Sequence, residues 1–219
     1  MKSISELKNS HFGEDVYVIG SGSSIDFIDW SFFDRKTCVG INKVPAFIKC
    51  DYGITHHQEC VRIILGSDTP LVVSQFRHCM SGVSMSRYTK DNDCYMYEHV
   101  YQPGKTLVTD MFNSTTGLVV GSTTVIDAMS FAYHIGAKNI ILCGIDGVTI
   151  NGNNNFAGYY PSEADANYRE GIHLNKQKEH SVAKMKIIEE FAAFIRENGV
   201  NVLSVNPFVN MRFEGHKIN

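Results

Sequence analysis

Residues 121–146 read GSTTVIDAMSFAYHIGAKNIILCGID, and this stretch decides the fold. Val125, Ile126, Met129, Ala132 and Tyr133 recur at helical spacing behind a run of hydroxyl residues that suits a helix N-terminus. Gly136 closes that helix, because glycine takes the left-handed conformation common at helix ends. Asn139 to Cys143 then form a short apolar run ending at Gly144-Ile-Asp146, which predicts a strand. A helix, a glycine turn and a strand buried on both faces make an αβ unit, the repeating piece of a doubly wound parallel sheet.

Further strands are expected on either side of this unit. Asp15-Val-Tyr-Val-Ile-Gly20 is β-branched and aromatic and runs into Gly20-Ser-Gly-Ser-Ser24. Thr37 to Asn42, Tyr52 to Thr55 and Pro70 to Ser74 are similar short apolar runs with polar C-terminal ends. Cys94 to Val100 is a weaker strand candidate, and no period is clear elsewhere between Gln75 and Gly117. A last helix is expected from about His180 to Glu197, with Val182, Met185, Ile188, Phe191, Ala192 and Ile195 as its apolar stripe. Asn198-Gly199 ends it, and Val200 to Val205 form the closing strand. Residues 147–180, rich in Asn, Tyr and Gly, break the rhythm and are expected to be a lid-like insertion, since long polar loops carrying aromatics are usually functional.

Length and composition bound the rest. At 219 residues the chain suits a single α/β domain, residues 1–219, with a Rossmann-like, mostly parallel sheet. The 20 basic and 23 acidic residues leave no broad basic face, which argues against a nucleic-acid partner. Six scattered cysteines show no CxxC spacing, so they read as reduced thiols of a cytoplasmic protein. No apolar run is long enough for a membrane span.

Four constellations could carry chemistry. Gly20, Ser21, Gly22, Ser23 and Ser24 follow a strand, where backbone N–H groups can cradle a phosphate; a plain strand–helix turn is the alternative. The dinucleotide fingerprint is incomplete, because Ile25 stands at its third glycine and Asn42 where an acid is wanted. Ser122, Thr123 and Thr124 exceed what capping alone requires. Asp146, at the end of a parallel strand, could bond a sugar hydroxyl, orient a tyrosine or hold Mg²⁺, or open the loop as an Asx turn. In the lid, His173 and His180 are candidate general bases, and Tyr159 and Tyr160 candidate donors to a leaving phosphate. The pair His56-His57 is a poor metal site, because adjacent strand side chains point to opposite faces.

Taken in order, VIGSGSSI, GIN, STTVIDAMSFAYHIGAKNIILCGID, EHSVAKMKIIEEF and VLSVNP resemble the bacterial lipooligosaccharide sialyltransferases. They also resemble the related group that includes 6-hydroxymethylpterin diphosphokinase and flagellin-glycosylation accessory proteins. The sialyltransferase resemblance implies a CMP-sugar donor and a nucleotide site made by Gly20 to Ser24, Asn42 and Ser122 to Thr124. It implies His180, followed by Ser181, as the base, and lid tyrosines such as Tyr159 and Tyr160 on the departing phosphate. It further implies direct displacement with no metal and no cofactor. The expected partners are the nucleotide-sugar and a glycan or other hydroxyl acceptor, and a homo-oligomer is compatible with this. Two alternatives stand beside it: a Mg²⁺-dependent pterin-type diphosphokinase using ATP, with Asp146, Asp110 or Asp127 near the metal, and a nucleotide-binding protein without activity.

Overall fold

The computed structural model describes residues 2–74, 94–100, 112–147, 150–151, 153–160 and 183–206. Among the described residues there are nine strands: β1 (Lys2–Ser3), β2 (Asp15–Ile19), β3 (Thr37–Ile41), β4 (Tyr52–Ile54), β5 (Leu71–Ser74), β6 (Cys94–His99), β7 (Gly117–Leu118), β8 (Asn139–Cys143) and β9 (Asn201–Ser204). The helices are α1 (Gln58–Leu65), α2 (Thr124–His134) and α3 (residues 183–197). The strands form one sheet in the order β1-β6-β5-β4-β3-β2-β8-β9, with β7 beside β6. Every pairing between these strands is parallel. The chain therefore winds outward from β2 to β6, then returns through α2 to place β8 on the other side of β2. This reversal between β2 and β8 is the topological switch point of a doubly wound, Rossmann-like α/β sheet.

Period-two alternation divides each central strand between two cores. Val16, Val18, Ile140 and Leu142 face the core that holds α2 and α3, and Tyr17, Ile19, Ile141 and Cys143 face the other. α2 is buried nearly all round rather than along one stripe. Ala128, Phe131 and Ala132 are fully enclosed, because the helix lies between the sheet, α3 and the N-terminal segment. Thr123 caps it by accepting the Val125 N–H. Phe112 ties α2 to α3, with ring centroids 4.8 Å from Tyr133 and 5.2 Å from Phe194. At the end of α3, Gly199 takes a φ of +86°, the left-handed turn foreseen at Asn198-Gly199.

On the opposite face, short 3-10 turns replace full helices. Ser23–Phe27, Trp30–Phe33 and Val44–Ala46 are all of this kind, so the glycine loop after β2 enters a five-residue turn and not the α-helix expected there. α1, β7 and the N-terminal β1 are also features that periodicity did not reveal. The N-terminal segment is held by a Ser3–Glu6 capping box and by burial of Ile4 and Leu7. His134 Nε2 lies 3.0 Å from the Ile4 carbonyl oxygen, which fastens that segment to α2. Cys38, Cys50, Cys60, Cys94 and Cys143 are buried free thiols, and Cys79 lies outside the described residues. No described helix is long and apolar enough to cross a membrane.

Two glycines let the second face pack closely. A Cβ on Gly40 would lie 2.8 Å from both the Cys50 sulfur and the Pro45 ring, and one on Gly53 would lie 2.6 Å from Ile64 of α1. The rigid proline ring at Gly40 leaves little room to relax. Gly40→Ala is expected to lower unfolding free energy by about 1–3 kcal/mol, as overpacked cores do, with a matching fall in denaturation midpoint.

Candidate functional site at the C-terminal rim of the sheet

An all-parallel sheet puts the C-terminal ends of its strands on one rim. That rim gathers the glycine loop after β2, Asn42 after β3, Thr55 and His56 after β4, Ser74 and His99 at the ends of β5 and β6, and Asp146 beyond β8. Ligands of such sheets bind along this edge.

At the switch point the loops after β2 and β8 lie backbone to backbone. The Gly20 and Gly22 N–H groups donate to the Cys143 and Gly144 carbonyls, each at 2.8 Å. A Cβ on either Gly20 or Gly22 would sit 2.6 Å from the Gly144 oxygen, so the GxG pattern is required by this approach. Asp146 then clamps the loop. Its carboxylate accepts the Ser24 N–H at 2.8 Å, the Ser24 hydroxyl at 2.5 Å and the Asn206 amide at 2.7 Å. Asp146 is only 4% exposed. Burial raises its pKa above the usual carboxylate value, against the opposing pull of the Ser24 and Asn206 bonds.

The start of the expected lid covers the same loop. The Ser21 hydroxyl donates to Asn155 Oδ1 and the Ser23 hydroxyl to the Asn153 carbonyl, both at 2.8 Å. The Phe156 N–H donates to the Ser21 carbonyl at 3.0 Å, and the Ala157 N–H to the Asp26 carboxylate at 2.9 Å. Phe156 is buried against Trp30, Phe47 and Tyr159. Tyr159 is buried, its phenol pushed up by desolvation and bonded to Ser21 and the Lys43 backbone. Tyr160 is half-buried, and the Lys43 ammonium lies over both tyrosine rings at 5.5 and 5.0 Å. His173 and His180 lie outside the described residues.

Further along the rim, Asn42 takes a φ of +56°, and its Oδ1 accepts the Thr55 hydroxyl at 2.8 Å. Thr55 Oγ1 in turn accepts the His57 N–H at 2.9 Å, which fixes the turn after β4. His56 and His57 diverge from this turn. His57 is half exposed beside Glu59, whereas His56 points inward to the Asp127 carboxylate. Asp127, in the first turn of α2, is fully buried and also accepts the Tyr97 hydroxyl at 2.8 Å and the Gly121 N–H at 3.2 Å. The Ser74 hydroxyl lies 2.5 Å from His99 Nε2, and the His99 ring stacks on Tyr97. Burial holds the His99 imidazole below its usual range. Ser122 is exposed, Thr123 half-buried as the cap, and Thr124 buried. Among the described residues, no three His, Cys, Asp or Glu side chains converge to hold a metal ion.

Sequence reasoning missed the His56–Asp127–Tyr97 group. The Tyr97/His99 spacing of two, which puts both on one face of β6, was the available signal. Their convergence on Asp127 depends on strand order.

No family model and no curated protein matches the chain. Among solved structures, the sialyltransferase CstII from Campylobacter jejuni is similar in fold, with a TM-score of 0.54 at 15% identity over 94% of this chain and 87% of that one. That protein was solved in complex with a substrate analogue, CMP-3FNeuAc. The MAf glycosyltransferase from Magnetospirillum magneticum AMB-1 gives a TM-score of 0.44 at 16% identity over 72% of this chain, which spans 29% of that longer chain.

Asp146 yields a two-part prediction. Asp146→Ala is expected to cost about 2–4 kcal/mol in chemical denaturation, because hydrogen bonds to a charged acceptor contribute ~1.5–3 kcal/mol each before non-additivity. An acid whose folded-state pKa is raised binds more protons in the folded state. Its contribution to stability is therefore greatest below the unfolded-state pKa and declines as pH rises toward the folded-state value. The stability difference between wild type and Asp146→Asn should shrink as pH rises upward from the usual carboxylate range; a difference that grows would reverse the assigned direction.

Proposed function

We propose that this chain is a glycosyltransferase that takes a CMP-activated sugar and passes it to a hydroxyl of a glycan or other acceptor, by direct displacement without a metal. The observation that carries the reading is the meeting of Gly20–Ser24, Asn42 and the turn before α2 on one rim of a parallel sheet. That rim belongs to a fold shared, over nearly the whole of both chains, with a sialyltransferase. Among the described residues, Lys43 beside Asn42 is a cation on these elements, and no cluster of Lys or Arg accompanies it. A phosphorylated donor would be held by hydroxyls, backbone N–H groups and the side chains of the rim.

In this reading His180 takes the proton from the acceptor hydroxyl, with His173 as the competing base. The acceptor oxygen bonds to the anomeric carbon while the bond from that carbon to the phosphate oxygen breaks, and CMP leaves with the electron pair. Tyr159 and Tyr160 stabilise the departing phosphate by donating hydrogen bonds. Because Tyr159 is buried on the glycine loop, its use requires residues 153–160 to shift when the donor enters.

A second reading, a nucleotide-binding protein without turnover, is favoured by one observation. The polar groups of Ser21 and Ser23 are already bonded to residues 153–156. The diphosphokinase reading is less well supported, since Asp146 and Asp127, two of its three candidate Mg²⁺ ligands, both have their carboxylates engaged by protein donors. Asp110 lies outside the described residues.

Thermal-shift measurements with CMP and with ATP plus Mg²⁺ separate these readings, because a bound ligand raises the midpoint by mass action. A shift with CMP and release of CMP from a CMP-sugar are expected. A shift with ATP alone would overturn the proposal, and CMP binding with no turnover would favour the second reading. His180→Ala should lower transfer about 10²–10⁴-fold, the usual value of a general base; turnover within tenfold of wild type would remove His180 from that role.

A further inference from the structure

Strand direction decides which lysines reach the rim. Lys36 lies just before β3, at the opposite edge of the sheet, whereas Lys43 follows Asn42 just beyond the C-terminal end of β3. The backbone there is held on both sides. Asn42 is bonded to Thr55, and Lys43 opens the Val44–Ala46 turn, in which the Ala46 N–H donates to the Lys43 carbonyl at 3.0 Å and buried Pro45 stiffens the chain. From this fixed base the half-buried side chain sets its ammonium over the Tyr159 and Tyr160 rings, 5.5 and 5.0 Å from their centroids. The Tyr159 phenol is also bonded to the Lys43 backbone. Lys43 therefore touches both tyrosines assigned above to the departing phosphate and adjoins the asparagine assigned to the nucleotide. An ammonium carries three N–H donors and no acceptor. Among the described residues, no carboxylate pairs with that of Lys43 and no oxygen accepts from it. A ring face attracts a cation through its quadrupole, more weakly than a phosphate oxygen does through full charge and a hydrogen bond.

We infer that Lys43 is the phosphate-contacting cation of the donor site. Its ammonium donates to a non-bridging oxygen of the donor's phosphate, and the two tyrosine rings keep it aimed there without taking an N–H as an oxygen acceptor would. As the bond from the anomeric carbon to the phosphate oxygen breaks, negative charge grows on the departing nucleotide, and a fixed ammonium beside it offsets that charge. Lys43 is carried by the turn after β3 and not by residues 153–160, so it keeps its place when that segment shifts to admit the donor. Lys49, at the far end of the same turn, is a poorer alternative. It lines a cavity of about 260 Å³ with Trp30, Asp34 and Phe47, where Asp34 already supplies negative charge.

The inference rests on the nucleotide-donor reading, and the test separates the two. The affinities of CMP and of cytidine, which lacks the phosphate, are measured by calorimetry for wild type and for Lys43→Gln, a variant that keeps the backbone bond to Tyr159. Wild type is expected to prefer CMP by about tenfold or more, the effect of a charged hydrogen bond, and Lys43→Gln to lose most of that preference while cytidine affinity holds. An unchanged CMP preference in Lys43→Gln overturns the role of Lys43 and leaves the nucleotide reading standing. An equal loss of affinity for both ligands makes Lys43 a structural support of the turn and overturns its phosphate role too. Binding of neither ligand by wild type overturns the nucleotide reading, and this inference with it. Acetylation of the wild-type protein by acetic anhydride, read by mass spectrometry, gives an answer that does not depend on the variant folding. CMP should slow modification of Lys43 severalfold and cytidine should not; equal protection by the two would overturn the assignment.

Discussion

The structure depends on how closely two backbone turns approach each other where β2 and β8 end. Gly20 and Gly22 continue the hydrogen-bond ladder into Cys143 and Gly144, beyond the last residue of β2. No side chain fits between them. Asp146 then closes the crevice by accepting three bonds, two from Ser24 and one from Asn206 after β9. One buried carboxylate thus joins the ends of β2, β8 and β9. In many sheets of this kind the crevice at the switch point receives the ligand directly. Here it is filled by the protein's own groups, and the polar surface continues sideways along the rim toward β3, β4 and α2.

That sideways continuation explains the other buried acid. Asp127 does for the far half of the rim what Asp146 does for the near half. It gathers the turn after β4, a tyrosine of β6 and the loop before α2 onto one carboxylate. The chemistry differs, because Asp146 is satisfied by neutral donors and Asp127 has an imidazole beside it. The first arrangement suits a rigid strut. Between them lies Asn42, held by Thr55 in a left-handed conformation that asparagine tolerates better than most residues.

Much of the fold was legible in the chain. The 124–143 helix–strand unit, the strands at 15–19, 37–41, 52–54 and 71–74, and the final helix and strand all follow from apolar periodicity with glycine punctuation. What was not legible had specific physical causes. The 3-10 turn at Ser23–Phe27 reads like a helix start, because five residues cannot show a period. α2 looked amphipathic, yet it is enclosed on nearly every side, since Ser130 and His134 find backbone partners that make their burial tolerable. In the candidate site, the glycine loop, Asn42 and the 122–124 turn were picked out by motif. His56 was weighed only with His57 as a metal pair, because its partner Asp127 lies 71 positions away in the chain.

The sequence by itself determined the layered α/β architecture, the parallel sheet and the strand ends on which polar residues fall. These depend on local periodicity and on turn chemistry, which neighbouring residues settle among themselves. Only the tertiary structure decided which of those polar residues meet. Strand order β6-β5-β4-β3-β2-β8-β9 brings Tyr97, His56 and Asp127 together and sets Ser24 against Asp146. A buried charge selects its partners by proximity in space, and proximity between segments so far apart in the chain exists only once the sheet has formed.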